Sequence, residues 1–255
     1  MRLAYRVEGS GPALLLHLGA GCDSGLWGAA GLVEPLARSY TCVLFDHRGH
    51  GESDIPRGPE AYHLDRLTAD VVELLDHLGI QHAAFWGYSM GISPGVRLAE
   101  TRPDRVWALI ASGAVGPPDS PEEVAAGVNQ RAAEFREHGW ENLIAGFEKQ
   151  EPDPIPAWMT ERIRATDIGQ FIDTLLSIPS WDGWEEWEVL PTLTVPTLFL
   201  TGELEDRDDD VGRIVGRMPN GQRERLHGLG HINAFLARDR VLPHVQRFLA
   251  NHAPS

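Results

Sequence analysis

The chain has 255 residues, 42% of them hydrophobic, and a formal net charge of −15. This length and apolar content suit one large α/β domain, or a domain with an insertion, and exclude a disordered chain. Only one of the 22 basic residues is a lysine, Lys149, and no basic stripe is present that could neutralise phosphates. Nucleic acid and membrane-surface partners are therefore not expected.

The cysteine count and the N-terminus predict a location in the cell. Two cysteines, Cys22 and Cys42, do not form a disulfide framework, which favours a reduced, intracellular chain. The first six residues contain no apolar signal core, and no stretch approaches 18 apolar residues. We expect a soluble, cytoplasmic protein.

The first third of the chain predicts three strands. Residues 2–8 alternate weakly and indicate an edge strand, whereas the continuous apolar runs 13–17 and 41–45 are typical of strands buried on both faces. A glycine-rich loop, 18–21, follows the second strand, and a helix is expected around Pro35. These glycines lack the spacing of a dinucleotide-binding G-x-G-x-x-G motif, so no nucleotide cofactor is predicted.

Residues 46–53, D-H-R-G-H-G-E-S, come directly after the third strand. His47 and His50 are three residues apart, as in some metal sites, but the flanking glycines indicate a turn and no third ligand is close in sequence. We therefore predict no metal site. Residues 64–78 carry apolar side chains at helical spacing and predict an amphipathic helix against the sheet.

The most informative stretch is 83–91, an apolar run that ends in G-Y-S-M-G around Ser89. A G-x-S-x-G sequence between a strand and a helix is typical of a nucleophile elbow, a strained turn that exposes the serine hydroxyl. The next helix has small residues every four positions, Gly91, Gly95 and Ala99, and is predicted to lie close against the sheet. Ser89 is the predicted nucleophile.

The regular alternation of strands and helices is interrupted between residues 119 and 190. A strand is predicted over residues 106–111, and the segment after it is helical in pattern, rich in glutamate, and holds five of the eight tryptophans. Such a segment resembles an inserted lid. We interpret its tryptophans mainly as packing residues between lid and core, and less as substrate contacts.

The C-terminal part predicts two more strands and a closing helix. The strand 195–202 ends in an acidic loop, 203–206, and a second strand near 223–227 leads to a loop with His231 and a helix from about 239 to 251. The aspartates that follow the acidic loop resemble a calcium-binding loop but lack its glycine and its final glutamate. They indicate a solvated helix N-terminus.

These elements place the groups of an acyl-transfer site at one edge of the sheet. A serine hydroxyl needs a base to take its proton. His231 is the best candidate because it stands on a predicted loop after the last strand, whereas His227 is predicted to lie in a strand and His244 in a helix. The base needs a carboxylate, for which the loop 203–206 supplies candidates. Backbone N–H groups of Met90 and of the glycine-rich loop are the predicted oxyanion donors.

The sequence resembles the α/β-hydrolase superfamily over essentially its whole length. The resemblance rests on G-Y-S-M-G at 87–91, on D-H-R-G-H-G-E-S at 46–53, on Gly230-His231, and on the spacing from Gly19 to Trp27. It implies an α/β-hydrolase fold: a mostly parallel central sheet with helices on both faces and an inserted helical lid. The implied domains are a core of residues 1–118 and 191–255 and a lid of residues 119–190.

The resemblance also implies two site residues. Gly19 matches a family glycine, which makes Ala20 the second oxyanion donor. The family acid usually stands three residues beyond the glycine that ends the strand, which favours Glu205 over the adjacent Asp206. Asp119 is the next candidate.

The predicted function is that of a serine hydrolase that cleaves an ester or lactone of a small organic substrate through an acyl-enzyme, with no cofactor. Relatives of this fold with an aspartate nucleophile are disfavoured because Ser89 occupies that position. Two alternatives stay open. One is a C–C bond hydrolase or cofactor-independent lyase, and the other is a ligand-binding receptor that retains the triad.

Overall fold

A computed structural model of the chain describes residues 1–19, 21–113, 120–181, 186–205 and 208–254. The strands in these ranges are β1 (Tyr5–Glu8), β2 (Ala13–His17), β3 (Thr41–Phe45), β4 (Ala83–Tyr88), β5 (Val106–Ser112), β6 (Thr197–Gly202) and β7 (Gly221–Leu226). They form one sheet in the order β1-β3-β2-β4-β5-β6-β7, in which β1 is antiparallel and the other strands are parallel.

The helices pack on this sheet or connect its strands. They are α1 (Gly25–Ala29), α2 (Val33–Ala37), α3 (Leu64–His77), α4 (Ile92–Thr101), α5 (Pro121–His138), α6 (Trp140–Glu148), α7 (Ala157–Ala165), α8 (Ile168–Ser177), α9 (Glu186–Val189), α10 (Asp208–Val215), α11 (His231–Leu236) and α12 (Arg238–His252). Within the described ranges, none of them is long and apolar enough to cross a bilayer.

The sheet is apolar on both sides because its central strands have continuous apolar sequences. In β2, Leu14 and Leu16 pack into one core cluster while Leu15, between them, packs into the other. Successive side chains of a strand point to opposite faces, so an unbroken apolar run supplies both cores at once. In β4, Trp86 and Phe85 divide between the two clusters in the same way.

Helices cover both faces of the sheet. Side chains of α1, α2 and α12 belong to one core cluster, and side chains of α3, α4 and α10 belong to the other. Because β4 and β5 occupy the middle of the sheet, the turn after β4 lies at its centre. The predicted fold class, a mostly parallel sheet between two helical layers, is confirmed.

Helices α5 to α9 follow β5 and precede β6, in the segment for which the sequence predicts a lid. Its tryptophans differ in burial: Trp140 and Trp181 are buried, Trp187 is half-buried against the core, and Trp158 is exposed. Trp184 lies outside the described residues. The function of this segment as a lid stays a prediction.

Two expectations near the C-terminus differ from the structure. β7 ends at Leu226, so His227 follows the strand and does not lie in it. The sequence predicts that His231 stands on a loop, but it is the first residue of the six-residue helix α11. The helix is short, and its N-cap is Gly230, which supplies no capping side chain, so neither periodicity nor a capping residue marks it in the sequence. The acceptor for its first N–H groups comes from a distant part of the chain.

Candidate active site

Ser89 occupies the sharp turn between β4 and α4. Its φ is 57°, and it is the one non-glycine residue with positive φ among those described. The turn also brings backbone segments unusually close: a Cβ atom added at Gly87 would lie 2.5 Å from the Gly91 carbonyl oxygen, and one at Gly91 would lie 2.5 Å from that of His17. Such contacts require glycine on both sides of the serine. The turn therefore has the geometry of a nucleophile elbow.

The loop after β2 lies directly against this turn. A Cβ atom added at Gly19 would lie 2.8 Å from Cβ of Ser89 and 3.2 Å from the backbone nitrogen of Met90. The Met90 N–H group is therefore next to both the serine and the glycine-rich loop, where an oxyanion donor is needed. Ala20, the other predicted donor, lies outside the described residues.

Two hydrogen bonds hold the glycine-rich loop, and a third holds the residues that follow it. The Gly21 N–H group donates to Nε2 of His50 at 3.0 Å, and Thr166 Oγ1 donates to the Gly21 carbonyl oxygen at 3.2 Å. The Ser24 N–H group donates to Oδ1 of Asp46 at 2.7 Å. The D-H-R-G-H-G-E-S turn thus supports the loop on one side and the inserted helices support it on the other.

The two histidines of that turn belong to a buried stack. The ring of His17 stacks on His47 with centroids 4.9 Å apart, and His47 packs on His50 at 3.6 Å. Burial lowers the pKa of His17 and of His50 to about 4, and that of His47 well below its usual value. No group of His, Cys, Asp and Glu side chains in the described ranges is arranged to hold a metal ion.

His231 lies beside the end of β5, the neighbour of the strand that carries Ser89. A Cβ atom added at Gly113 would lie 2.8 Å from Cε1 of His231. The Tyr88 hydroxyl donates a hydrogen bond to the His231 carbonyl oxygen. The ring of Phe147, from α6, stacks on the imidazole with centroids 5.4 Å apart and planes within 4°. The imidazole is thus packed from the sheet and from the inserted helices.

Glu205 faces this imidazole. Its Oε1 atom lies 3.6 Å from Nδ1 of His231, and its side chain is 1% exposed. Backbone contacts bring the two loops together: the Leu204 N–H group donates to the Leu229 carbonyl oxygen at 3.0 Å, and a Cβ atom at Gly202 would lie 2.5 Å from that same oxygen. The acidic loop after β6 and the loop before α11 therefore pack as a unit. Asp206 and Asp119, the alternative acids, lie outside the described residues.

The two weaker candidates for the base lie elsewhere. His227 is exposed and contacts Glu203, whose carboxylate accepts from the Gly228 N–H group at 2.8 Å. His244, on α12, lies 3.1 Å from Glu224. Both pairs belong to the surface near β7.

Two further residues at His231 were not predicted from the sequence. Phe147 stacks on its ring, and Glu151 accepts hydrogen bonds from the N–H groups of Ile232 and Asn233. Both come from the inserted segment, about 80 residues earlier in the chain. No local pattern in the sequence marks a contact across that separation.

Comparison with known proteins agrees with this geometry. Residues 12–153 match the model of a family described as having an alpha/beta hydrolase fold. This match covers more than half of the chain and includes the strand and turn that carry Ser89.

Two curated relatives are similar over shorter segments. A putative carbamate hydrolase, RutD, of Azorhizobium caulinodans is 33% identical over 107 residues, which are 42% of this chain and 39% of the relative. The 3-oxoadipate enol-lactonase 2 of Acinetobacter baylyi is 39% identical over 101 residues, 40% of this chain and 36% of the relative. In these alignments the chain spans less than two fifths of each relative's length.

A solved structure is similar over nearly the whole chain. The enol-lactonase from Burkholderia xenovorans LB400 is 26% identical and superposes with a TM-score of 0.79, covering 97% of this chain and 96% of that one.

Proposed function

The chain belongs to the α/β hydrolase family, and from this membership and the site geometry we propose that it is a serine hydrolase that cleaves an ester or lactone bond of a small organic substrate through an acyl-enzyme. The proposed triad is Ser89, His231 and Glu205. The proposed oxyanion donors are the N–H groups of Met90 and Ala20. Relatives named as an enol-lactonase and a putative carbamate hydrolase support hydrolysis at a carbonyl carbon.

The observation that carries the proposal is the conformation of Ser89. A serine with φ of 57° is held in the left-handed region, at a cost of about 1–3 kcal/mol that the surrounding structure must offset. Glycines at 87 and 91 allow the tight approach of neighbouring backbone on both sides. Strain of this kind at a nucleophilic side chain, next to the Met90 N–H group and directly after Tyr88, which contacts His231, supports acyl transfer.

In the first half of the reaction, Ser89 Oγ attacks the substrate carbonyl carbon while Nε2 of His231 takes the hydroxyl proton. The carbonyl oxygen becomes an oxyanion, which accepts hydrogen bonds from the Met90 and Ala20 N–H groups. Glu205, at Nδ1, holds the ring in the required tautomer and stabilises the imidazolium. Collapse of the intermediate transfers the proton to the departing alkoxide and leaves the acyl group on Ser89.

In the second half, water replaces the alcohol. His231 takes a proton from the water as it attacks the acyl carbon, and the second tetrahedral intermediate uses the same oxyanion donors. When this intermediate collapses, His231 returns the proton to Ser89 Oγ and the carboxylic acid is released. A lactone follows the same steps, with both products joined in one hydroxy acid.

We further propose that the inserted segment is a lid that shapes the substrate site. Phe147 supports this proposal because its ring covers one face of the His231 imidazole. Thr166 also supports it, since the residue is hydrogen-bonded to the glycine-rich loop. Substrate groups next to the reacting carbonyl would then contact side chains of the inserted helices.

A fluorophosphonate probe tests the proposed function. The wild-type chain should hydrolyse at least one ester in a chromogenic panel and should carry a single covalent label on the peptide that contains Ser89. The Ser89→Ala variant should do neither. A wild-type protein that is folded, unlabelled and inactive on every ester and lactone tried would contradict the proposal.

A further inference from the structure

We propose that Glu151 is a positioning residue for His231: its carboxylate fixes the first turn of α11, and through that turn it fixes the imidazole. This inference rests on the proposed function of His231 as the base. Glu151 belongs to the connection between α6 and α7, 80 residues before the histidine in sequence. It has no place in the triad or among the oxyanion donors.

The contact is bidentate. Oε1 of Glu151 accepts from the Ile232 N–H group at 2.6 Å, and Oε2 accepts from the Asn233 N–H group at 3.0 Å. These are the second and third residues of α11, whose N–H groups have no acceptor within the helix. A helix usually satisfies such groups with its own N-cap side chain, but Gly230 has none. Glu151 supplies the missing cap from another segment.

Gly230, in the loop before the helix, leaves room for this carboxylate because it has no side chain. A Cβ atom added at Gly230 would lie 2.7 Å from Oε2 of Glu151 and 2.9 Å from the Gln150 carbonyl oxygen. A side chain at this position would displace the Glu151 carboxylate and press on the Gln150 carbonyl oxygen. Another hydrogen bond joins the same two segments: the Asp153 N–H group donates to Oδ1 of Asn233 at 3.0 Å.

His231 is therefore held at several points that together define its place. The Tyr88 hydroxyl binds its carbonyl oxygen, Glu205 faces Nδ1, and Phe147 covers the ring. Glu151 holds the two N–H groups that follow. Phe147 and Glu151 are four residues apart, and the Glu151 N–H group donates to the Phe147 carbonyl oxygen at 3.1 Å. The same short stretch of chain therefore contacts both the ring and the backbone of this histidine.

Glu151 also has an electrostatic effect at this position. The N-terminal end of a helix carries partial positive charge, which disfavours an imidazolium formed on its first residue. A carboxylate bound to the N–H groups of that turn offsets the partial charge. The imidazolium of the transition state thus gains from Glu151 as well as from Glu205, although Glu151 contacts neither the substrate nor the ring.

The test compares Glu151→Gln with Glu151→Asp and with Glu148→Gln, a control that removes an exposed charge three residues away on α6. Two quantities are measured on the full chain: kcat and KM for a p-nitrophenyl ester, and the Hε1 NMR signal of His231, assigned with His231→Gln. The signal reports the position of the ring, because the stacked Phe147 ring shifts it. It does not depend on activity.

Glu151→Gln is expected to lower kcat by about 10- to 100-fold with KM little changed, and to move the His231 signal. Glu151→Asp, which keeps the charge, should recover much of the kcat, and Glu148→Gln should match the wild type. An unchanged kcat and an unchanged His231 signal in Glu151→Gln would overturn the inference, as would equal losses in Glu151→Gln and Glu148→Gln. If Glu151→Gln does not fold, Gly230→Ala takes its place, because the added Cβ atom would lie 2.7 Å from Oε2 of Glu151 and displace the carboxylate. A lower kcat with a shifted His231 signal in Gly230→Ala supports the inference, and an unchanged kcat and signal overturn it.

Failure of the proposed function has a different signature. In that case the wild type hydrolyses no ester and takes up no fluorophosphonate. The NMR comparison of the three variants still decides whether Glu151 positions the histidine.

Discussion

Oε1 of Glu205 lies 3.6 Å from Nδ1 of His231, and neither carboxylate oxygen of Glu205 has a hydrogen-bond partner within the described ranges. A buried carboxyl group that makes no hydrogen bond costs stability. In the proposed triad this cost has a purpose, because Glu205 orients the imidazole and stabilises the imidazolium.

Glu205→Gln is therefore expected to lower kcat roughly a thousandfold with little effect on KM, because the amide keeps the shape but cannot stabilise the imidazolium. The melting temperature should stay the same or rise, since a neutral amide is easier to bury than a carboxyl group that makes no hydrogen bond. Steady-state kinetics and thermal unfolding check both points. A loss of this size in Asp206→Asn, with Glu205→Gln near wild type, would assign the acid to the neighbouring position.

Two substitutions of Ser89 distinguish the loss of the nucleophile from the relief of backbone strain. Ser89→Ala and Ser89→Gly should both retain less than about a hundredth of the wild-type kcat, because each removes the nucleophile. Glycine adopts positive φ without cost, so Ser89→Gly should be more stable than Ser89→Ala by about 1 kcal/mol. Urea unfolding of the two variants measures the difference. Equal stability would show that the turn relaxes without strain.

Gly19→Ala tests the contact between the glycine-rich loop and the elbow. The added Cβ atom would lie 2.8 Å from Cβ of Ser89, so the loop must move away from the Met90 N–H group. We expect a loss of at least about tenfold in kcat and of about 1–3 kcal/mol in the free energy of unfolding.

The matched control for this variant is Gly28→Ala. An added Cβ atom at Gly28, which is exposed in α1, meets nothing within 4 Å. Gly28→Ala should leave kcat near the wild-type value and should raise the free energy of unfolding by at most about 1 kcal/mol, since alanine is the better helix former. A Gly19→Ala protein with full activity would show that the loop does not need its present distance from Ser89.

The buried histidine stack predicts loss of stability in acid. Burial lowers the pKa of His17 and of His50 from 6.5 to about 4, so the unfolded chain binds more protons than the folded one between these values. Stability should therefore be full above about pH 6.5 and fall as the pH drops toward 4, by about 3 kcal/mol for one such histidine. Urea unfolding between pH 7.5 and 4.5 measures this dependence. His17→Gln should reduce the slope, and an unchanged slope would assign it to other groups.

Substitutions in the inserted segment test whether it sets selectivity. Phe147→Ala removes the ring stacked on His231, and Trp158→Ala removes an exposed tryptophan of α7. If the segment covers the site, the ratio of kcat/KM between short and long acyl chains should change about tenfold or more in at least one variant. If both variants fold and keep the wild-type dependence of kcat/KM on acyl-chain length, the result would argue against a lid.

The sequence by itself determined the parts of the protein that are encoded in contiguous runs. Continuous apolar stretches predicted the buried strands, and G-Y-S-M-G between a strand and a helical pattern predicted the turn at Ser89, because a sharp turn needs glycines at fixed offsets. The parallel sheet and its two helical layers were implied by the resemblance to the α/β-hydrolase superfamily, which rests on short motifs of the same kind. These features depend on near neighbours in the chain.

Only the tertiary structure decided which side chains surround His231. Its place at the start of α11 depends on Glu151, and the position of Glu205 beside it depends on backbone contacts between the loops after β6 and β7. The three hydrogen bonds that support the glycine-rich loop and the residues after it also come from distant segments. Such contacts arise when separate strands and loops pack together, so no local periodicity or motif encodes them.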